Sequence, residues 1–369
     1  METQKVCYLE LQGTYEDIGK QIAKKVDRAC FPMPAPDFFT EQDLEDALHL
    51  YDKYCPGIRD ELEGFSKETG ILVKDIAYTW MTYLVPRCSG LAVLGSQMVD
   101  GHTRLARNYE FSIEQEDLTV CRTKPKGKYA HIGGSIATFG RCEGINECGL
   151  AVSMSSCGLP VGNMIGMRKA EMKGLQFWAV IRSLLENCKD VEEALKLVLK
   201  MPIAYNINLY LADAACNAVL VETMNGKVAY ERITSVDAKQ YLCGTNHIAI
   251  PSFQNLEPAA MRNSVVRLDK LEQFAKNHAS LEENQIREFF LKKYPEGMTT
   301  HYYDDWFGTI KSVVMDTVER RFSICWFGLE ENGWEDYFVT RSLEEKSEDK
   351  MLLKERAEKE LFEFIPLKA

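Results

Sequence analysis

Between Leu84 and Gly90 the chain changes texture, and this change limits what it can fold into more than any other feature. Before it the spacing of apolar residues is mostly helical. After it come short apolar segments parted by glycine, at 88–95, 103–111, 129–139 and 149–156, the last following the turn Asn146-Glu147-Cys148-Gly149. The leader opens with a strand over 5–12 (Val6, Tyr8, Leu9, Leu11). Thr14 then starts a helix with Asp17 in its first turn and Ile18, Ile22 and Val26 on one face, and Pro32, Pro34 and Pro36 break the chain. Helices follow over 41–54, 57–68 and 72–84, the last carrying Ile76, Trp80 and Tyr83 and stopped by Pro86.

Paired helices interrupt the strands further on. The pattern predicts helices over 174–187 and 191–200, the second capped by Asp190, then strands over 206–213, 217–223 and 227–234, the last after the hairpin turn Asn225-Gly226. Helices over 257–278 and 282–293, strands over 308–316 and 321–328, and a solvated Glu/Lys helix over 343–360 complete the reading. Strand blocks interleaved with helix pairs point to an α+β layered sandwich with largely antiparallel sheets. Neither a repeat nor a low-complexity linker divides the chain, so one domain is expected.

At 369 residues and 46% hydrophobic content the chain can bury a large core. A formal net charge of −11 excludes the basic footprint that nucleic acid or an anionic membrane requires. The twelve cysteines form no CxxC pair and no cluster, so neither a zinc site nor a disulfide framework is expected. The N-terminal residues lack an apolar core segment and no run of eighteen apolar residues occurs, so neither a signal peptide nor a membrane span is expected. Free thiols fit a reducing cytoplasm. The expected partners are small molecules, without cofactor or metal, and a homo-oligomer is compatible with the sequence.

Cys88 begins a strand-like segment. Cysteine in apolar surroundings is most often a small buried hydrophobe. A cysteine whose own backbone amine has been freed by cleavage is different, because an α-amine titrating near pH ~8 can take the thiol proton without help from histidine. Gly133, Gly134 and Gly140 lack the strand-to-helix setting of a phosphate loop, and His301-Tyr302-Tyr303-Asp304-Asp305 has no metal-ligand spacing and reads as a pocket-lining loop. Trp306, Phe307, Trp326 and Phe327 read as core or acyl-pocket wall.

Several segments occur in one order: Gly13-Thr14-Tyr15-Glu16-Asp17-Ile18-Gly19 with Gln21, Cys88-Ser89-Gly90, Arg107-Asn108-Tyr109-Glu110-Phe111, Gly144 to Val152, Thr245-Asn246-His247 and Ser264-Val265-Val266-Arg267. Over about residues 8–330 this order resembles the acyl-coenzyme A:6-aminopenicillanic acid acyltransferase family, relatives of choloylglycine hydrolase and acid ceramidase among the N-terminal nucleophile hydrolases. The resemblance implies a four-layer αββα sandwich made as a precursor that cuts itself before the nucleophile. Here that bond is Arg87–Cys88, giving a helix-rich short chain 1–87 and a catalytic portion 88–369 that together make one domain. It implies Arg107 beside the nucleophile, Glu110 holding the new amine where the family usually has Asp, Asn246 at the oxyanion, Arg267 packed against the site and Ser156 offering a backbone amide. His247 reads as structural. Arg87 stands where the family has a small residue, which implies slow processing.

The function expected on these grounds is a cysteine hydrolase cleaving the linear amide of an N-acylated small molecule or short peptide through a thioester. The alternatives are an acyltransferase that passes the acyl group to an amine, and an unprocessed ligand-binding protein with the same fold.

Overall fold

The structure is a computed structural model and describes residues 2–25, 34–80, 87–159 and 173–367. The expected positions Val26, Pro32 and Tyr83, and the Val85-Pro86 flank of the proposed junction, lie outside the described residues.

Two sheets stack face to face. One has ten strands in the order Lys227–Thr234, Asn217–Met224, Ile207–Ala212, Ala151–Ser156, Glu143–Asn146, His131–Ile136, Thr119–Pro125, Glu2–Gly13 and Lys346–Leu352, with Gly140–Arg141 beside His131–Ile136. The other has seven, in the order Tyr241–Gly244, Arg87–Val93, Arg104–Phe111, Phe307–Asp316, Arg321–Trp326 and Glu335–Phe338, with His301–Tyr302 beside Phe307–Asp316. Among the described strands the sole parallel ladder joins Glu2–Gly13 to Thr119–Pro125.

Helices cover the outer faces. In the leader run α1 (Tyr15–Ala23), α2 (Glu41–Tyr54), α3 (Ile58–Thr69) and α4 (Val73–Trp80). Further along, α5 (Phe177–Asn187) and α6 (Val191–Val198) lie on the ten-stranded sheet, while α7 (Arg262–Asn277) and α8 (Glu283–Leu291) lie on the seven-stranded one. This is the four-layer αββα arrangement. Its local determinants are those read from the sequence: Thr14 and Asp17 form a reciprocal capping box on α1, Asp190 caps α6, and Asn225 and Gly226 both take positive φ in the hairpin turn.

Two expectations need correction. Residues 343–360 do not form a solvated helix; Lys346–Leu352 is a strand against Glu2–Gly13. Lys346, Glu348, Lys350 and Leu352 share one face at the strand period of two, so Glu348 accepts from the Tyr8 hydroxyl at 3.0 Å while Leu352 is buried. Residues 257–278 are not helical throughout, because Ala259–Met261 pairs with Phe364–Pro366 before α7 starts. Strands Thr119–Pro125, Glu143–Asn146, Tyr241–Gly244 and Glu335–Phe338 go unread in the sequence, being short or interrupted by charged residues.

The described leader elements are built into the layers of the sandwich. The leader's strand Glu2–Gly13 separates Thr119–Pro125 from Lys346–Leu352, and its α3 is tied to α5 by an ion pair, Arg182 Nη1 to Glu61 Oε1 at 2.7 Å and Nη2 to Oε2 at 2.5 Å. Arg182 also donates to Glu186 Oε1 at 2.8 Å, and Glu186 accepts from the Tyr15 hydroxyl at 2.7 Å. Glu61, Arg182 and Glu186 are buried, so removing one partner strands an uncompensated charge. Arg182→Ala is therefore expected to cost ~3–5 kcal/mol in urea unfolding at neutral pH, and the double substitution Glu61→Leu with Arg182→Leu to cost less than the single one.

Candidate active site

Cys88 is the second residue of the strand Arg87–Val93, which pairs antiparallel with Arg104–Phe111. Residues opposite one another share a face in such a ladder. Cys88 opposite Tyr109 and Gly90 opposite Arg107 therefore face the interior between the sheets, while Arg87 opposite Glu110 and Ser89 opposite Asn108 face α7 and α8. Asn108 confirms the second direction by donating from Nδ2 to the Phe290 carbonyl of α8 at 2.9 Å.

Gly90 is what lets Tyr210 approach. A Cβ there would lie 2.7 Å from the Tyr210 ring, which reaches across from the ten-stranded sheet. Arg107, diagonal to Cys88, donates from Nη2 to Cys88 Sγ at 2.7 Å. Its Nη1 donates to Glu143 Oε2 at 2.7 Å and to the Cys142 carbonyl at 2.5 Å. Both Cys88 and Arg107 are wholly buried. Burial pushes the Cys88 thiol up to about 12, and the Arg107 charge opposes that rise.

Asn246 approaches from the opposite side. Its Oδ1 accepts from the Cys88 backbone N at 3.2 Å and from Arg267 Nη2 at 2.7 Å, while its Nδ2 donates to the Ser156 carbonyl at 2.9 Å. Ser156 meets Asn246 through its carbonyl and hydroxyl oxygens. Arg267, buried on α7, donates from Nη1 to the Cys88 carbonyl at 2.9 Å and from Nη2 to Asn263 Oδ1 at 2.9 Å. The turn bearing Asn246 is fixed by Ser264, whose hydroxyl accepts from the Asn246 backbone N at 2.8 Å, and by Asn208, whose Nδ2 donates to the Thr245 carbonyl at 2.9 Å.

His247 belongs to that scaffold: its Nδ1 lies 2.7 Å from Ser264 Oγ, and burial, aided by the Arg267 charge, brings it down to about 4. Glu110 faces away from the Cys88 side chain, with both carboxylate oxygens buried and without a hydrogen-bond partner among the described residues; Arg267 Nη1 is 3.7 Å away. Burial pushes Glu110 up to about 7 against the pull of Arg267 and Arg107. Arg87 beside it donates to the Asp305 carbonyl at 3.2 Å and lies 4.6 Å from the centre of the Phe362 ring.

The structure thus brings Cys88, Arg107, Asn246 and Arg267 into direct contact and places Glu110 one layer behind, bonded to none of them by a hydrogen bond. Glu143, Asn208 and Tyr210 escape the sequence reading, and Ser264, quoted there only as part of the motif around Arg267, gains its role of holding the Asn246 turn from the fold. So does Lys311, although a lysine in the middle of the buried strand Phe307–Asp316 is itself a signal.

The sequence pattern of the acyl-coenzyme A:6-aminopenicillanic acid acyl-transferase family matches residues 98–348. The chain belongs to this family. The matched span begins after Cys88 and includes Arg107, Glu110, Asn246 and Arg267. No curated protein matches the chain. Among solved structures, penicillin V acylase from Agrobacterium tumefaciens is 17% identical with a TM-score of 0.37, covering 67% of this chain and 76% of its own. Two variants of conjugated bile acid hydrolase from Clostridium perfringens are each 12% identical, with TM-scores of 0.41 and 0.44, covering 73% of this chain and 98% and 100% of theirs.

The elevated Glu110 gives a pH test with a definite sign. Between about 4.5 and about 7 the folded chain holds a proton on Glu110 that the unfolded chain has released, so rising pH costs stability across that window. Glu110→Gln removes this cost. Its stability relative to the parent, from urea unfolding at a series of pH values, is expected to rise by ~1–3 kcal/mol through the window and stay flat below it.

Proposed function

We propose that the chain is a cysteine N-terminal nucleophile hydrolase that cleaves the linear amide of an N-acylated small molecule or short peptide. The observation that carries this reading is the convergence on Cys88 of Arg107 at its sulfur, Asn246 at its backbone nitrogen and Arg267 at its carbonyl. Family membership supports amide acyl-transfer chemistry of this kind.

Activation comes first. Cys88 Sγ attacks the Arg87 carbonyl, the C–N bond breaks, and water hydrolyses the resulting thioester to leave a carboxylate on Arg87 and a free amine on Cys88. Chain 1–87 remains in place afterwards, because its strand lies inside the ten-stranded sheet and Glu61 stays paired with Arg182. The contacts of Arg87 with Asp305 and Phe362 must loosen for this step, which is consistent with slow processing.

In turnover the Cys88 amine takes the thiol proton and Arg107 steadies the thiolate, offsetting the burial that otherwise holds the thiol protonated. The thiolate adds to the substrate carbonyl and Asn246 Nδ2 donates to the developing oxyanion. The leaving amine departs with the proton from the Cys88 ammonium. Water, activated by the same amine, then releases the acid. Glu110 orients the ammonium, and Arg267 holds the Asn246 carboxamide by its oxygen; of the two Nδ2 hydrogens one stays on the Ser156 carbonyl, and the other leaves the Ser156 hydroxyl for the substrate oxygen. An amine in place of water makes the same site an acyltransferase, the reading that the name of the family favours.

Rapid quenching with an N-acyl amide is expected to leave the acyl mass on the peptide that begins at Cys88, and Cys88→Ala to abolish both adduct and turnover. Full amidase activity in Cys88→Ala overturns the proposal. Asn246→Ala is expected to lower kcat ~10²- to 10³-fold with a smaller change in KM, since the oxyanion exists only beyond the ground state.

A further inference from the structure

Behind Arg107 runs a chain of buried charges to which the proposed reaction assigns nothing. Glu143 accepts from Arg107 Nη1 at 2.7 Å with one oxygen, and its other oxygen lies 3.8 Å from Lys311 Nζ. Lys311 Nζ in turn donates to Glu116 Oε1 at 3.3 Å. The side chains of Arg107, Glu143, Lys311 and Glu116 are all fully buried. The Tyr109 ring fills the space between the two cations, 4.8 Å from the Arg107 guanidinium and 4.4 Å from the Lys311 ammonium. Gly134 makes room for the chain: a Cβ there would fall 2.2 Å from Glu143 Oε1 and 2.7 Å from Lys311 Nζ.

Such an arrangement is costly to bury, and apolar residues of the same volume would often serve stability as well or better. Its charge balance suggests what it is for. With Cys88 as a thiol and Glu116 ionised the chain carries no net charge; with Cys88 as a thiolate it is neutral only if Glu116 holds a proton, the ammonium formed on Cys88 in turnover lying outside the chain at the backbone nitrogen that meets Asn246. A buried cluster resists a net charge, so the two protonation states are tied together.

Neighbouring carboxyls bear on this chain. Asp117 is held by the Ser135 hydroxyl at 2.6 Å and the Thr138 amide at 2.8 Å, is drawn on by Lys311 and then by Arg141, and favours the protonated form of Glu116. On the far side of the nucleophile strand Glu110 faces Arg267 and Arg87. Glu116 has one carboxylate oxygen without a hydrogen-bond partner among the described residues, which leaves a place for the proton.

We propose that Lys311 and Glu116 are positioning residues that set the charge on Cys88 through Glu143 and Arg107, with Glu116 taking up a proton as Cys88 loses its own. The coupling is electrostatic, and each group exchanges its proton separately with solvent. Burial raises Glu116 to about 7 while Lys311 opposes the rise, so its proton is available near neutral pH. This inference rests on Cys88 being the nucleophile, but its test does not depend on turnover.

The test is the thiolate titration of Cys88, followed by ultraviolet absorbance of the full-length protein as the difference from Cys88→Ser in each background. Glu116→Gln fixes the neutral state and is expected to lower the Cys88 midpoint by about one pH unit, whereas Lys311→Met removes a cation and is expected to raise it by about one unit. A merely structural role moves neither midpoint in a defined direction. Lys311→Arg is expected to keep the parent midpoint. Opposite shifts support the proposal, and any other pattern overturns it. Should Lys311→Met fail to fold, the isosteric Glu116→Gln decides alone, a lowered midpoint supporting the proposal and an unchanged or raised one overturning it. Amidase activity in Cys88→Ala separately tests the nucleophile itself.

Discussion

The contact on which the site depends is the one between Arg107 Nη2 and Cys88 Sγ, made in the buried space between the sheets. A guanidinium buried there needs anionic or carbonyl partners, and it has three: the sulfur, the Glu143 carboxylate and the Cys142 carbonyl. This single side chain joins the Arg87–Val93 strand of one sheet to the Glu143–Asn146 strand of the other. Much of the surrounding geometry serves to keep it straight.

A second guanidinium works from the outer side. Arg267 grips the Cys88 carbonyl, Asn246 and Asn263, so α7, the Arg87–Val93 strand and the turn after Tyr241–Gly244 meet at one residue. Cys88 is thereby held at its sulfur from the interior and at its backbone from α7. The division follows from the strand period, since the side chain of a residue leaves one face of the sheet while its neighbours serve the other. It also explains why Glu110, three residues from Arg107, sits on the opposite face and meets Arg267 instead of Glu143.

Much of this was legible in the sequence. The helix start at Thr14, the cap at Asp190 and the Asn225-Gly226 hairpin are local signals, and they fold as local physics requires. Resemblance put Cys88, Arg107, Asn246 and Arg267 on a short list, and the fold places them in contact. What eluded reading depends on partners far away in the chain. Glu143 and Lys311 look like isolated charges until the sheets stack and bring Arg107 and Glu116 against them. The charged segment around Lys346–Leu352 has a helical composition, yet it pairs with the first strand of the chain, and its alternating charges gain meaning only over Tyr8 and Glu335. Glu110 was read from its place in a motif, and its burial without a hydrogen bond could not be inferred from neighbours in sequence.

Whether Cys88 gains its own N-terminus, and with it the base that makes it a nucleophile, is decided by intact-mass analysis of the purified protein. Two masses are expected, for 1–87 and 88–369, that stay together under native conditions and separate on denaturation, with Cys88→Ala remaining a single chain. A protein that is uncut at Arg87–Cys88 yet fully active as an amidase would contradict this route to the nucleophile.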